Sequence, residues 1–352
     1  MNNVNSNENV NNKYPNVISA LELAREYFFN ESNINLTIDI MPIAELNAQV
    51  FPDNQIDDLF HIEIFSQFMY LPEYIRNITR KFDDDDYSFF EIFEPFRLYK
   101  TTSEGSSDYT PKDKVIDILA TAVLYRVFFH ECGHIVANHV PLYKFPALEY
   151  GCKTEGSYAR QEKELIADWL GTKHIVRFMF ETLIKNEPTE PTDDRVELIL
   201  KQIVLLYWLS ITLEFQIFES IYNAIDAKSK DKITIDDSKR THPPIQVRFY
   251  YCLEALIEAT NDLLVDICGN KRSADIFTHE LLSGMQLIIY PFLSVMDVPI
   301  CKELADIKNI EYYVKLRNMQ YDWVYDERQC QHLMSLADSY VDIAKKCLSF
   351  IN

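Results

Sequence analysis

The residues with the clearest capacity for chemistry lie in the run His130-Glu131-Cys132-Gly133-His134, an HExxH motif. In a helix, residues four apart lie one turn apart on the same face, so His130 and His134 can bind one zinc ion. Glu131 lies beside that face and can act as a general base that takes a proton from a water molecule at the metal. The motif therefore indicates hydrolysis of a peptide bond at a zinc site. The alternative is a pair of buried structural histidines that bond backbone groups.

A third ligand is expected from a second helix. Two acids and two small residues recur there at i, i+3, i+4 and i+7, on one helical face: Glu164, Ala167, Asp168 and Gly171. Because the small residues allow close packing on the first helix, Glu164 can complete a site of two histidines and one glutamate, with a fourth position open to water. Asp168, one turn further on, is expected to accept a hydrogen bond from the outer nitrogen of a ligand histidine. The alternative interpretation is a solvated charged face.

Two other histidines and one arginine are further candidates. His139 lies roughly 140° around the helix from His134, so a structural cap is expected for it. His242 precedes two prolines that favour the start of a helix. It can either donate a hydrogen bond to the oxyanion formed during hydrolysis or cap that helix, and both interpretations stay open. Arg248 follows about one turn inside the same helix, where a structural ion pair is the favoured interpretation.

Three motifs in this order carry a family resemblance: HExxH at 130–134, ELIAD at 164–168 and HPPxxxR at 242–248. Together they resemble the zincin metallopeptidases of the HtpX and CAAX-prenyl-protease type. The zinc ligands that the resemblance implies are His130, His134 and Glu164. It also implies that Glu131 is the base, that Asp168 supports a ligand, and that an edge strand holds the substrate extended. A weaker resemblance, to Lit-like phage-exclusion peptidases, depends on HExxH and on expected solubility.

The elements that must position these residues are mostly helices. An amphipathic helix is predicted around Val17–Phe29, and alternating polar and apolar residues predict three strands: Asn35–Met41, Asn47–Phe51 and Leu59–Phe65. Beyond Lys112 the pattern is helical throughout, and the segment before His130 is apolar almost all round, as in a buried helix. We therefore expect an α+β, mostly helical, zincin-like fold with a small, mainly antiparallel sheet packed on the HExxH helix.

The chain divides into four segments by composition. Residues 1–14 are rich in asparagine and predict a disordered tail. Residues 15–255 form the predicted metallopeptidase domain, interrupted by an acidic insertion around 82–112 that is a candidate lid over the site. Residues 256–352 carry no readable motif, and we expect them to be helical and to pack on that domain.

Composition limits the partners and the compartment. With 34 basic and 54 acidic residues the formal net charge is −20, which disfavours binding to nucleic acid or to an anionic membrane surface. Seven scattered cysteines without a CxxC pair are typical of free thiols in a reducing cytoplasm. The longest apolar run, Ile203–Phe218, contains Glu214 and is shorter than the ~20 residues that span a bilayer, so no membrane insertion is expected.

The sequence therefore predicts a soluble, cytoplasmic, zinc-dependent endopeptidase with one zinc ion per chain and a protein or peptide substrate. The alternative is a regulatory or binding protein that uses a zincin scaffold to grip, or to cleave, one partner protein, such as a phage-exclusion or stress-response factor. Intact Glu131 favours chemistry, since a scaffold has no need of a carboxylate there. The oligomeric state is left open.

Overall fold

The computed structural model describes residues 15–43, 47–56, 58–78, 111–140, 157–185, 193–228 and 245–268. Within these residues the fold is α+β, mostly helical, with one sheet of three strands. The predicted tail, the insertion up to residue 110 and the chain beyond residue 268 lie outside the described residues.

The first element is helix α1 (Pro15–Ser32), and the three predicted strands follow it. They are β1 (Asn35–Met41), β2 (Ala48–Pro52) and β3 (Leu59–Phe65), whose bounds differ from the predicted ones by at most one residue. The strand order is β1-β3-β2, with β1 parallel and β2 antiparallel to β3. The prediction of a mainly antiparallel sheet is therefore wrong, because the sheet is mixed. The alternation of apolar and polar residues predicts which side chains face the core. It does not predict the position of β1, because either edge of the β2–β3 hairpin can accept a third strand.

The sheet has one apolar and one polar face. In β3 every second residue is buried on the apolar face, as Ile62 shows, and the single buried residue of β2 is Val50. The intervening positions carry polar side chains such as Gln49 and Glu63. This alternation follows from the two-residue period of a strand. Strand β2 lies at an edge of the sheet and packs against the helix that carries HExxH.

A short 3-10 turn (Ser66–Tyr70) leads into five helices that complete the described fold: α2 (Leu71–Ile78), α3 (Pro111–Val136), α4 (Ser157–Lys185), α5 (Asp193–Lys228) and α6 (Ile245–Cys268). Helix α3 carries HExxH and packs against α1, α2, α4, α5 and β2. Its residues 122–133 are all buried, which explains why its sequence is apolar on every side.

Helix α5 contains a long apolar segment. Among the described residues it is the one helix long and apolar enough to cross a membrane, from Leu198 to Phe215, and 89% of that window is buried against the rest of the structure. A buried core helix passes the same test of length and composition.

Helices α3 and α4 cross in close contact through two glycines. A Cβ atom on Gly133 would lie 2.9 Å from the Cα of Ala167 and closer still to its carbonyl oxygen. A Cβ atom on Gly171 would lie 2.7 Å from the carbonyl oxygen of Phe129 and 2.9 Å from the amide nitrogen of His130. The close packing predicted from small residues on these two helices is therefore confirmed.

We expect Gly133→Ala to lower the free energy of unfolding by about 1–3 kcal/mol, because the new methyl group meets backbone of α4. Glycine to alanine inside a helix ordinarily stabilises by about 0.5–1 kcal/mol, so the expected sign is reversed. Urea unfolding of the metal-free protein measures the change. Asn30→Ala, at an exposed position of α1, is the control. A Gly133→Ala protein as stable as the parent would contradict the close crossing.

Candidate metal centre

Three side chains from two helices meet at the α3–α4 crossing. His130 and His134 project from α3 and Glu164 from α4, and one ligand atom of each lies within 4.8 Å of the others. Nε2 of His130 is 3.3 Å from Oε2 of Glu164, and Nε2 of His134 is 3.6 Å from Oε1. Two ligands of a tetrahedral zinc ion, each ~2.0–2.1 Å from the metal, lie about 3.3–3.4 Å apart. The three side chains therefore form a group that can hold a metal ion.

The candidate metal centre lies at the border of the core. His130 is 8% exposed and Glu131 is 7% exposed, whereas His134 and Glu164 are partly exposed. Because His134 and Glu164 are the more accessible pair, their side of the site is the side that a water molecule or a substrate can approach.

The carboxylate of Asp168 lies against the ring of His130. Its Oδ1 lies 2.8 Å from Nδ1 of His130, on the opposite side of the ring from Glu164. A carboxylate at Nδ1 favours the tautomer that leaves Nε2 free for a metal. Burial alone would lower the pKa of His130, but Asp168 and Glu164 outweigh it and raise this pKa to about 9. A metal ion that binds Nε2 therefore has to displace a proton.

Two arginines hold Asp168 in turn. Arg248 binds it through two hydrogen bonds, from Nε to Oδ2 at 2.7 Å and from Nη2 to Oδ1 at 2.8 Å. Arg126 donates from Nη2 to Oδ1 at 3.0 Å. Burial would raise the pKa of Asp168, but these cations hold it well below its usual range. Asp168 is therefore a fixed anion, and Arg248 contacts the site through it.

Arg126 is a site residue that the sequence reasoning missed. It lies four residues before His130 on α3, so both side chains leave the same helical face and reach Oδ1 of Asp168. The signal was present, because a buried arginine one turn before a metal-binding motif requires a partner. No local rule identifies that partner, which lies on α4.

The imidazole ring of His134 also contacts a second side chain, that of His139. Helix α3 ends in a Schellman motif: Asn138 has φ 55°, the amide of His139 donates to the carbonyl of His134, and the amide of Asn138 donates to the carbonyl of Ile135. His139 thus belongs to the helix cap, as the sequence predicted. The same turn brings its Nδ1 to 3.1 Å from Nδ1 of His134, a contact that the sequence reasoning missed.

We expect His139→Ala to weaken Zn²⁺ binding about tenfold, because His134 loses the contact that orients its ring. The cap should persist, since its hydrogen bonds come from backbone groups. Competition with a chromophoric chelator at fixed pH measures the dissociation constant. His61→Ala, which removes a histidine of β3, is the control. Equal Zn²⁺ affinity in the His139→Ala and parent proteins would contradict an orienting role for His139.

Of the residues singled out from the sequence, the structure brings together His130, His134, Glu164, Asp168 and Arg248 at one point. Glu131 adjoins this group on α3. His242, a candidate oxyanion donor or helix cap, lies outside the described residues.

No protein-family model, curated protein or solved structure matches this chain.

Proposed function

We propose that this protein is a zinc-dependent endopeptidase that acts on protein or peptide substrates in the cytoplasm. The observation that carries the proposal is the meeting of the two HExxH histidines with Glu164, all within 4.8 Å. Two imidazoles and one carboxylate are a ligand set typical of catalytic zinc, which keeps one position open. The fold is then zincin-like, as the resemblance to the HtpX and CAAX-prenyl-protease type implies.

The chain's own residues have separate tasks in this proposal. His130, His134 and Glu164 would hold a zinc ion, which would supply a Lewis acid able to polarise a carbonyl and to activate water. Glu131 takes the proton of the attacking water and returns it to the leaving amine. Asp168 keeps the His130 ring oriented throughout, because two arginines hold its carboxylate.

We further propose that the substrate binds as an extended peptide along the outer edge of strand β2. Strand β2 lies at the sheet edge and packs against α3. A substrate segment that adds to this edge would form backbone hydrogen bonds and keep its scissile bond extended. The net charge of −20 favours the approach of basic or neutral polypeptides and disfavours nucleic acid.

A cleavage screen tests the proposal. Zinc-loaded protein is incubated with a cell extract, and new peptide N-termini are labelled and sequenced, with metal-free protein as the control. We expect new N-termini only with the zinc-loaded protein. One cleaved protein among thousands would favour the alternative function, a factor directed at a single partner. Stoichiometric zinc without any new N-terminus would contradict the endopeptidase and favour a scaffold that binds.

A further inference from the structure

Asp168 belongs to a group of four charged side chains, here named the charge cluster: the buried Arg126, Asp168 and Glu214, and the partly buried Arg248. Nη1 of Arg126 lies 2.9 Å from each carboxylate oxygen of Glu214, and its Nη2 reaches Asp168. Arg126 and Glu214 are each 3% exposed. Two guanidinium ions and two carboxylates give the cluster a formal charge of zero.

The charge cluster joins four helices. Arg126 belongs to α3, Asp168 to α4, Glu214 to α5 and Arg248 to α6. The ring of Phe215, next to Glu214, lies under both guanidinium groups, at 4.9 Å from Arg126 and 5.4 Å from Arg248. Such a cluster is not required for stability, because apolar residues of similar volume are often as stabilising as a buried ion pair. Stabilisation of the core therefore does not explain why these four positions carry charged side chains.

The electrostatic effect of the cluster on a metal ion at His130 does explain it. Asp168 accepts from two arginines, and those three groups alone carry a net charge of +1 directly behind His130. A positive charge at that place opposes a divalent cation on the other side of the ring, and it acts strongly where burial limits screening. The carboxylate of Glu214 cancels this excess and also fixes the orientation of Arg126.

We propose that Glu214 is a positioning residue for the candidate metal centre, acting through Arg126 and Asp168 to keep the charge behind His130 at zero. This inference rests on the proposed function, since it assumes that the site binds a divalent metal. By this inference a residue of α5 controls how tightly Zn²⁺ binds, although α5 has no metal ligand among its described residues.

Three variants change the charge of the cluster in known steps. Glu214→Gln gives +1 and keeps a carbonyl oxygen for Arg126 to bind. Arg126→Met removes the positive excess, giving −1 with Glu214 ionised and zero with Glu214 protonated, since burial raises the pKa of Glu214 and Arg126 opposes that rise. It leaves Asp168 with its two hydrogen bonds from Arg248. The double variant gives zero. Thr212→Val is the matched control, because its buried hydroxyl bonds the carbonyl of Trp208 on the same helix.

The Zn²⁺ dissociation constant of each folded variant is measured by chelator competition, and Co²⁺ absorption reports the ligand geometry. We expect Glu214→Gln to bind Zn²⁺ at least about tenfold more weakly than the parent. Arg126→Met and the double variant should bind within about threefold of the parent, or more tightly, and the control should match it.

The results distinguish a failure of this inference from a failure of the proposed function on which it rests. Affinity lost equally in Glu214→Gln and Arg126→Met would mean that the cluster acts by cohesion alone, which overturns the inference. Unchanged affinity in Glu214→Gln overturns it as well. If Glu214→Gln does not fold, the Arg126→Met variant still tests the inference. Zn²⁺ binding by Arg126→Met that is more than about threefold weaker than that of the parent contradicts the charge argument. A parent protein that binds no Zn²⁺ refutes the proposed function itself.

Discussion

Replacing Glu131 with glutamine is expected to abolish peptide hydrolysis and to leave the fold and the bound metal in place. An amide cannot accept the proton of the attacking water, so turnover should fall by at least about 10²–10⁴-fold, the usual contribution of a general base. The ligands His130, His134 and Glu164 are untouched, and glutamine matches glutamate in size. Turnover of a substrate found in the cleavage screen and metal content are measured on the same preparation.

Two comparisons make the Glu131→Gln result specific. Glu73→Gln, at an exposed position of α2, is the control and should keep full activity. Unfolding in urea should be similar for the parent and both variants. Undiminished turnover by metal-replete Glu131→Gln protein would refute the role of Glu131 as the base.

Replacing Glu164 with alanine is expected to cost the protein its metal. The carboxylate is one of three ligands, and its oxygens lie 3.3 Å and 3.6 Å from the two histidine nitrogens. Losing an outer partner of a metal ligand weakens binding 10–100-fold, so losing a ligand itself should exceed about 100-fold. Hydrolysis should be lost together with the metal, whereas Glu131→Gln loses hydrolysis alone.

Helix α4 offers a matched control for this variant. Glu181 lies on the same helix, and its carboxylate contacts Arg177 and Lys185 near the helix end. Glu181→Ala should bind Zn²⁺ as the parent does. Stoichiometric, tight Zn²⁺ in Glu164→Ala would mean that another residue completes the site, and the assignment of Glu164 as a ligand would be wrong.

Short-range patterns were enough to predict the parts of the fold that depend on them. Alternation of apolar residues placed the three strands to within one residue, because the side-chain period of a strand is two. The i, i+3, i+4, i+7 face of α4 predicted its close crossing with α3, since small residues alone let two backbones approach to this degree. Gly133 and Gly171 are the residues at which this happens.

Long-range partners could not be predicted in the same way. Which edge of the β2–β3 hairpin takes β1 depends on how the sheet packs, and the sequence does not encode that locally. The same is true of Arg126, whose partners Asp168 and Glu214 follow it by 42 and 88 residues along the chain. Each of these residues is visible in the sequence as a charge in an apolar context, but the pairing requires the positions of four helices.

His139 illustrates a limit of ideal helix geometry. A residue five positions after His134 points away from it in a continuous helix. Here the helix ends first, and Asn138 turns the chain with φ 55°, which brings the His139 ring back to His134. A Schellman motif therefore brings a side chain into contact with His134 where helical periodicity does not.

The zinc content of the 352-residue chain tests the central claim most directly. The protein is loaded with Zn²⁺, dialysed against metal-free buffer, and analysed for metal and for protein in the same sample. We expect about one zinc ion per chain, held by two histidines and one glutamate. The Glu164→Ala protein, treated identically, should retain almost none. A parent protein that retains no zinc would contradict the assignment of His130, His134 and Glu164 as a zinc site.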